Sequence, residues 1–303
     1  MSILAADPLQ SPERAAAIVS WPARLQRIIP LLACPACKGN LEHRPEAFDC
    51  RSCNKAYAIE NEKIYFVEPA PAEDTLDSIK LRLKRFLGTN YYKIGVNIVA
   101  PSYPFNYGAA IRKYIDPRTK IAVDLGCGNF RVDKDLVTLD ANDYDAVDIV
   151  ASLEALPFKD SSLDALCSRS VLEHVPDLTR AVSEISRCTR PEGIGVHYIP
   201  FMYPFHASPY DFHRVTHVGA TRLFLGWDLI EQRGTTGPIS LFLICLNEFI
   251  ASLVSMGNPR IKAPIYLFTC LLTFPLKYLD ALFVGRKSFI GLAPTILTVV
   301  RKP

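Results

Sequence analysis

The stretch Ile121-Ala122-Val123-Asp124-Leu125-Gly126-Cys127-Gly128-Asn129 decides how the rest of this chain is read. Ile121 to Val123 are β-branched or small and run into an acid, the pattern of a buried strand. Gly126 and Gly128 then let the backbone turn sharply and approach a ligand closely, because neither carries a Cβ. An Asp-x-Gly-x-Gly turn alone is weak evidence. The elements downstream make it strong, because they supply in order the other walls of one pocket.

Leu136 to Leu139 reads as a second strand with Asp140 at its tip. In a doubly wound sheet an acid there accepts hydrogen bonds from both ribose hydroxyls of an adenosine. Ala146 to Ala151 is the third element and leads into Ser152-Leu153-Glu154-Ala155-Leu156-Pro157-Phe158. Asp164 to Ser168 is the fourth, followed by Ser170-Val171-Leu172-Glu173-His174-Val175. A helix over Asp177 to Thr189 and a turn at Arg190 to Gly193 precede the fifth strand, Ile194 to Ile199. A sixth strand falls near Trp227 to Gln232, and Thr295 to Val300 closes the sheet. The fold class is α/β. A dinucleotide enzyme is the rival reading, but Arg131 stands where its third glycine belongs, and no helix of normal length follows to hold a pyrophosphate.

The run from Ile121 to Pro200 resembles a class I S-adenosylmethionine-dependent methyltransferase of the broad type 11 group, which implies a Rossmann-like sheet. The resemblance implies that Asp124, Gly126 and Gly128 hold the methionine end of the cofactor and Asp140 the ribose. Cys127 in the turn, Ser152 and Leu153 after the third strand, and Ser168 ending the fourth complete the candidate cofactor-binding set. Two departures stand out. The segment from Gly128 to Leu136 is too short for the usual first helix, and Ser152 replaces the acid expected near the adenine.

Cys34-Pro-Ala-Cys37 and Cys50-Arg-Ser-Cys53, twelve residues apart, are two C-x-x-C knuckles. Four thiolates so spaced suit a closed tetrahedral structural Zn²⁺ site; a redox pair and buried free thiols are the alternatives. So small a module is organised by its metal. The segment from Leu31 to Val67 resembles the zinc-ribbon modules of the tRNA-methyltransferase activator group, though Lys63 to Val67 replaces the usual Gly-Ile-Pro run.

The expected organisation is an N-terminal helical segment at 1–30, the ribbon at 31–67, a proline-rich acidic linker at 68–75 and a methyltransferase domain at 76–303. Met1 to Pro30 lacks the basic and apolar regions of a signal peptide, and Ser11-Pro12-Glu13 reads as a helix start. The nine cysteines fit a reducing cytoplasm better than a disulfide framework. A net charge of +3 is too small to argue for nucleic acid. After the linker, Leu76 to Leu87 reads as an amphipathic helix with Lys80, Arg82, Lys84 and Arg85 on its basic side. Tyr91 to Tyr107 reads as an irregular lid.

Beyond the fifth strand, His206, Asp211 and Arg214 emerge at the carboxyl edge, where open α/β folds bind ligands. His206 suits a general base, Asp211 its orienting partner and Arg214 an acidic group on the acceptor. The competing reading has Asp211 and Arg214 bonding the loop itself and Thr216 capping the next helix. A long apolar insertion, 238–287, then precedes the last strand. Burial against the sheet, a homodimer interface, an interfacial membrane patch and a bilayer hairpin are its four readings, and Glu248 at mid-segment argues against the last.

The expected function is methyl transfer to a hydroxyl or carboxylate on a hydrophobic small molecule, a lipid or a membrane-linked glycan. The expected place is the cytoplasm, peripheral at the inner face of a membrane. Methylation of RNA or a translation protein, suggested by the ribbon, and an inert cofactor-binding scaffold are the alternatives.

Overall fold

In the computed structural model, which describes residues 21–69, 99–205 and 210–303, the parallel strands form where the apolar runs place them. They are β5 (Ala122–Leu125), β6 (Val137–Asp140), β7 (Ile149–Val150), β8 (Leu163–Arg169) and β9 (Thr189–Pro200). All of β5 to β7 is buried, as expected of strands covered on both faces. The expected turn at Arg190 to Gly193 lies within the span of β9. Leu163 pairs with Thr189 and Ala165 with Ile194, so these four residues bulge out against one on β8.

Antiparallel β11 (Thr295–Arg301) lies between β9 and the edge strand β10 (Asp228–Gly234). β10 therefore runs in the same direction as β9. Its end and the start of β11 both lie at the carboxyl edge, and the helices that join them stand there.

On one face of the sheet, α1 (Ala23–Ile28), α3 (Leu178–Cys188) and α4 (His217–Leu223) pack with the ribbon into one core. It holds Leu25, Phe48, Leu125, Leu139, Ile185 and Ala220. On the other face α2 (Tyr107–Arg112) covers Ala122, Leu136, Ala165 and Val196. Asp177 accepts from Arg180 N at 2.9 Å to start α3, and Thr216 accepts from Gly219 N at 3.0 Å to start α4.

The N-terminal module is a meander of β1 (Leu41–Arg44), β2 (Ala47–Cys50), β3 (Ala56–Glu60) and β4 (Lys63–Tyr65). β4 pairs in parallel with β7, so the module continues the main sheet, in the order β1-β2-β3-β4-β7-β6-β5-β8-β9-β11-β10. The two-residue β7 would otherwise be an exposed edge.

No helix occurs between β5 and β6, as the short spacing requires. Arg131 instead reaches Asp148 through two hydrogen bonds of 2.8 and 2.9 Å, and Arg24 of α1 makes two more to the same carboxylate, at 3.0 and 2.8 Å. Asp148 is buried, and Thr138 adds bonds from its amide and hydroxyl. Burial opposes the charge, but the bonds from Arg24 and Arg131 outweigh it and hold the Asp148 carboxyl below the usual range.

The apolar segment forms α5 (Pro238–Ser255), α6 (Pro259–Thr273) and a 3₁₀ continuation, Phe274–Leu282. Asp280 of that continuation accepts from the amides of Gly237, Ile239 and Ser240 and so caps α5. Ser11-Pro12-Glu13, the basic helix at Leu76 to Leu87, the first part of the lid and His206 lie outside the described residues.

Candidate functional site

The site forms where β5, β6 and β8 end. Gly126 and Gly128 take φ of 63° and 56°, the left-handed region that glycine tolerates. A Cβ on Gly126 would lie 2.1 Å from Val171, so the packing there admits only glycine. Gly128 differs: a Cβ there would meet nothing within 4 Å, which leaves its backbone open to a ligand. Asp140 closes the turn from the next strand. One oxygen accepts from Gly128 N at 2.9 Å and keeps a lone pair for another bond, while the other accepts from Asn142 N at 2.9 Å and from Asn142 Nδ2 at 3.3 Å.

Asp124 is buried at the end of β5 and accepts from the Tyr107 hydroxyl at 3.3 Å. Burial pushes its carboxyl up to about 7, against the pull of Arg169. The Arg169 guanidinium sits between two rings, 5.6 Å from the centre of Tyr107 and 5.7 Å from that of Phe130. Neither Tyr107 nor Arg169 carries a sequence signal; the packing of α2 on the sheet brings Tyr107 to Asp124, and the pairing of β8 with β5 brings Arg169.

The other candidates are placed less favourably. Ser168 bonds His197 Nδ1 at 2.8 Å, which commits its hydroxyl to the core face. Burial pushes that histidine down to about 3, so it is neutral. Ser152 accepts from Glu154 N at 3.2 Å as a cap, Leu153 is buried in the core, and the Cys127 thiol packs beside Val147 and Val150. Asp211 and Arg214 form an ion pair, and Arg214 also donates to the carbonyls of Tyr203 and Pro204 at 3.2 and 3.3 Å. These bonds are those of the structural reading, and they bring the loop to a second feature.

That feature is a cavity of 450 Å³ lined by Ser170, Tyr198, Tyr203, Glu248, Tyr266 and Thr295. It lies at the carboxyl edge, between the ends of β8 and β9 and the helices α5 and α6. Ser170, directly after β8, has φ of 50°, an unusual conformation for a residue with a side chain. Burial pushes the Tyr203 hydroxyl up to about 12. Glu248, the acid that interrupts the apolar segment, borders this cavity and pairs with Lys262. Buried Glu173 lies near Arg214 and Asp211, and burial pushes its carboxyl up to about 7. A larger open cleft of 710 Å³ lies at the amino ends of β5 and β6, where Arg112–Asp133 and Arg118–Asp116 pair at 2.9 Å.

The four knuckle cysteines are brought together, with all four sulfurs within 4.8 Å of one another. Cys34–Cys53 and Cys37–Cys50 are separated by 3.6 and 3.4 Å. Tetrahedral zinc with Zn–S near 2.3 Å sets thiolates about 3.8 Å apart, so the donor set fits. The knuckles are near copies: Lys38 N donates to Cys34 O at 2.7 Å, and Asn54 N to Cys50 O at 3.0 Å. Lys38 and Asn54 both take left-handed φ, 59° and 58°.

Residues 121–196 match the family model described as a methyltransferase domain. A 56-residue stretch is 46% identical to an uncharacterized methyltransferase of Mycobacterium sp. strain KMS, covering 18% of this chain and 22% of the relative. Strain JLS carries a relative with the same values. The match thus spans 22% of the length of these curated relatives. Among solved structures, the chain is similar to the 1,6-didemethyltoxoflavin-N1-methyltransferase of Burkholderia thailandensis, at TM-score 0.41 and 11% identity over 85% of this chain and 99% of that one. It is also similar to a Haloferax volcanii complex of a methyltransferase activator with a methyltransferase, at TM-score 0.39 and 16% identity over 76% of this chain and 99% of that one. From Ile121 to Val196 the chain is thus similar to a methyltransferase domain.

Proposed function

We propose that this chain is an S-adenosylmethionine-dependent methyltransferase whose acceptor group is a hydroxyl or carboxylate on a hydrophobic small molecule, a lipid or a membrane-linked glycan. One observation carries the reading: Asp124, the left-handed Gly128 and Asp140 converge at one carboxyl edge, with Asp140 bonded to the Gly128 amide at 2.9 Å. When bound, the cofactor supplies an electrophilic methyl group on a sulfonium. Asp140 accepts the ribose hydroxyls, Gly128 gives the backbone clearance, Asp124 faces the methionine ammonium, and the Arg169 fork suits the carboxylate. Cys127, Ser152, Leu153 and Ser168 shape this pocket mainly through backbone and packing.

The acceptor lies in the 450 Å³ cavity, its reacting oxygen held toward the glycine turn. Positioning is the main contribution expected of the protein, because the sulfonium is already activated. Of the candidate catalytic residues, His206 is the base that receives the acceptor's proton, and the Asp211–Arg214 pair fixes the loop that carries it. Cys34, Cys37, Cys50 and Cys53 hold a structural zinc. The ribbon 31–67 is an activator-like module acting within its own chain, supported by the pairing of β4 with β7.

Calorimetric titration with S-adenosylhomocysteine tests the cofactor site. Asp140→Ala should weaken binding by about 2 kcal/mol, on the order of 30-fold, since it removes charge-assisted acceptors and frees the Gly128 amide. Wild-type affinity in this variant would remove Asp140 from the pocket. For the acceptor side, alanine at His206, Asp211 or Arg214 should lower methyl transfer while leaving S-adenosylhomocysteine affinity nearly unchanged. Full turnover in all three variants would make the loop purely structural.

A further inference from the structure

The helices at the carboxyl edge are built inside out for a protein surrounded by water. Several of their polar residues point inward: Asn247 bonds Thr273 at 3.0 Å, Asp280 caps α5, and Lys277 donates to the Ala100 carbonyl at 2.7 Å. Leu243 and Ile244 pack inward, but many of the large apolar residues point outward. Phe249 is 63% exposed and Leu253 59%, while Phe268 is 60% and Leu272 63%. Phe242, Phe249, Leu253 and Met256 follow helical spacing, so the stripe runs the length of α5, about 27 Å at 1.5 Å per residue. A face of this size left to water is costly and marks a contact surface.

Charge identifies what covers it. Both acids between 238 and 287 are engaged internally, Glu248 with Lys262 and Asp280 with the α5 amides. The charges left exposed there are Arg260, Arg286 and Lys287, all cationic and without an ion-pair partner among the described residues. They flank the apolar stripe at the α5–α6 turn and beyond the 3₁₀ continuation. A bulky apolar face rimmed by cations matches the interfacial layer of an anionic bilayer. At mid-length Ile244, Glu248 and Tyr266 face the cavity, whose opposite wall is Tyr198 and Tyr203. The helix pair therefore lies along the domain, which suits burial in one leaflet.

We infer that the exposed face of α5, α6 and the 3₁₀ continuation seats in an anionic lipid bilayer, so that the acceptor cavity opens at headgroup level. The cavity half of this inference rests on the methyltransferase reading; the bilayer half does not. The acceptor is then an amphiphile that offers its polar group from the membrane.

Flotation of the full-length protein with phosphatidylcholine vesicles, with or without phosphatidylglycerol, tests it. The protein should float with the mixed vesicles and less as salt rises. The double variant Phe268→Glu/Leu272→Glu should lower the bound fraction roughly tenfold, since each change removes an apolar anchor and adds a like charge against the lipid. Its S-adenosylhomocysteine affinity should stay at the wild-type value, which also verifies folding. Arg260→Gln/Arg286→Gln/Lys287→Gln should abolish the preference for phosphatidylglycerol while keeping the fold. Wild-type protein that stays with the soluble fraction in both mixtures overturns the inference. So does a dimer in sedimentation that Phe268→Glu/Leu272→Glu dissociates, because a second copy then covers the face. Flotation without S-adenosylhomocysteine binding would leave the bilayer contact standing and remove the methyltransferase reading.

Discussion

Cys50→Ser is expected to cost the protein its zinc and, with it, the order of far more than the ribbon. Metal binding in such a module is coupled to folding and contributes on the order of 10 kcal/mol. The expectation extends to the main domain because the module is not a separate bead. Cys34, Phe48, Tyr57 and Phe66 belong to the same core as Val123, Leu125 and Leu139. Lys38 also pairs with Glu184 of α3 at 2.7 Å. Losing the metal should therefore expose the edge of β7 and the apolar face beneath the ribbon together. Zinc content by elemental analysis and thermal unfolding with and without a chelator measure this. One zinc per wild-type chain, and an unfolding temperature that falls with chelation or with Cys50→Ser, is the expected result. Protein that contains no zinc under adequate supply, or a domain whose stability ignores the substitution, would refute it.

Asp148→Ala should be the most damaging single change outside the knuckles, at about 3–5 kcal/mol of stability, because it leaves two partly buried guanidinium groups without their anion. Arg24 and Arg131 are only 22% and 20% exposed at the side chain, so water compensates for little of the loss. The sign of the pH dependence follows. The folded carboxyl titrates below its unfolded value, so its stabilisation is complete above the unfolded value and is lost as pH falls through the folded one. Urea unfolding at neutral pH and at acid pH checks both parts. The gap between wild type and Asp148→Ala should narrow as acid protonates the wild-type carboxyl. A loss below about 1 kcal/mol at neutral pH would show that the two arginines find other partners.

Asp148 and the helices show where reading by motif stops. Arg131 is visible in the sequence only as a residue that spoils a dinucleotide fingerprint. Its use, holding the β5–β6 connection onto the sheet where a helix is absent, depends on an acid seventeen positions later and an arginine on α1. Glu248 reads as an obstacle to a membrane span; folded, it is a wall of the 450 Å³ cavity at the carboxyl edge. Gly126 reads as a ligand approach, whereas Val171 occupies the space its Cβ would need. In each case the residue type is legible and its partner is not, since partners far apart in the chain are chosen by packing.

Short-range patterns determined the parallel strands from Ala122 to Pro200, the glycine turn with Asp140 at the next tip, and the two cysteine knuckles. These are properties of a few adjacent residues: burial of β-branched runs, backbone freedom at glycine, and ligand spacing. The tertiary structure alone decided that β4 joins β7, that Arg169 and Tyr107 meet at Asp124, and that α5 and α6 turn several polar residues inward. Those arrangements arise because an open sheet edge, a buried acid and a pair of apolar helices each need a partner that local sequence does not name.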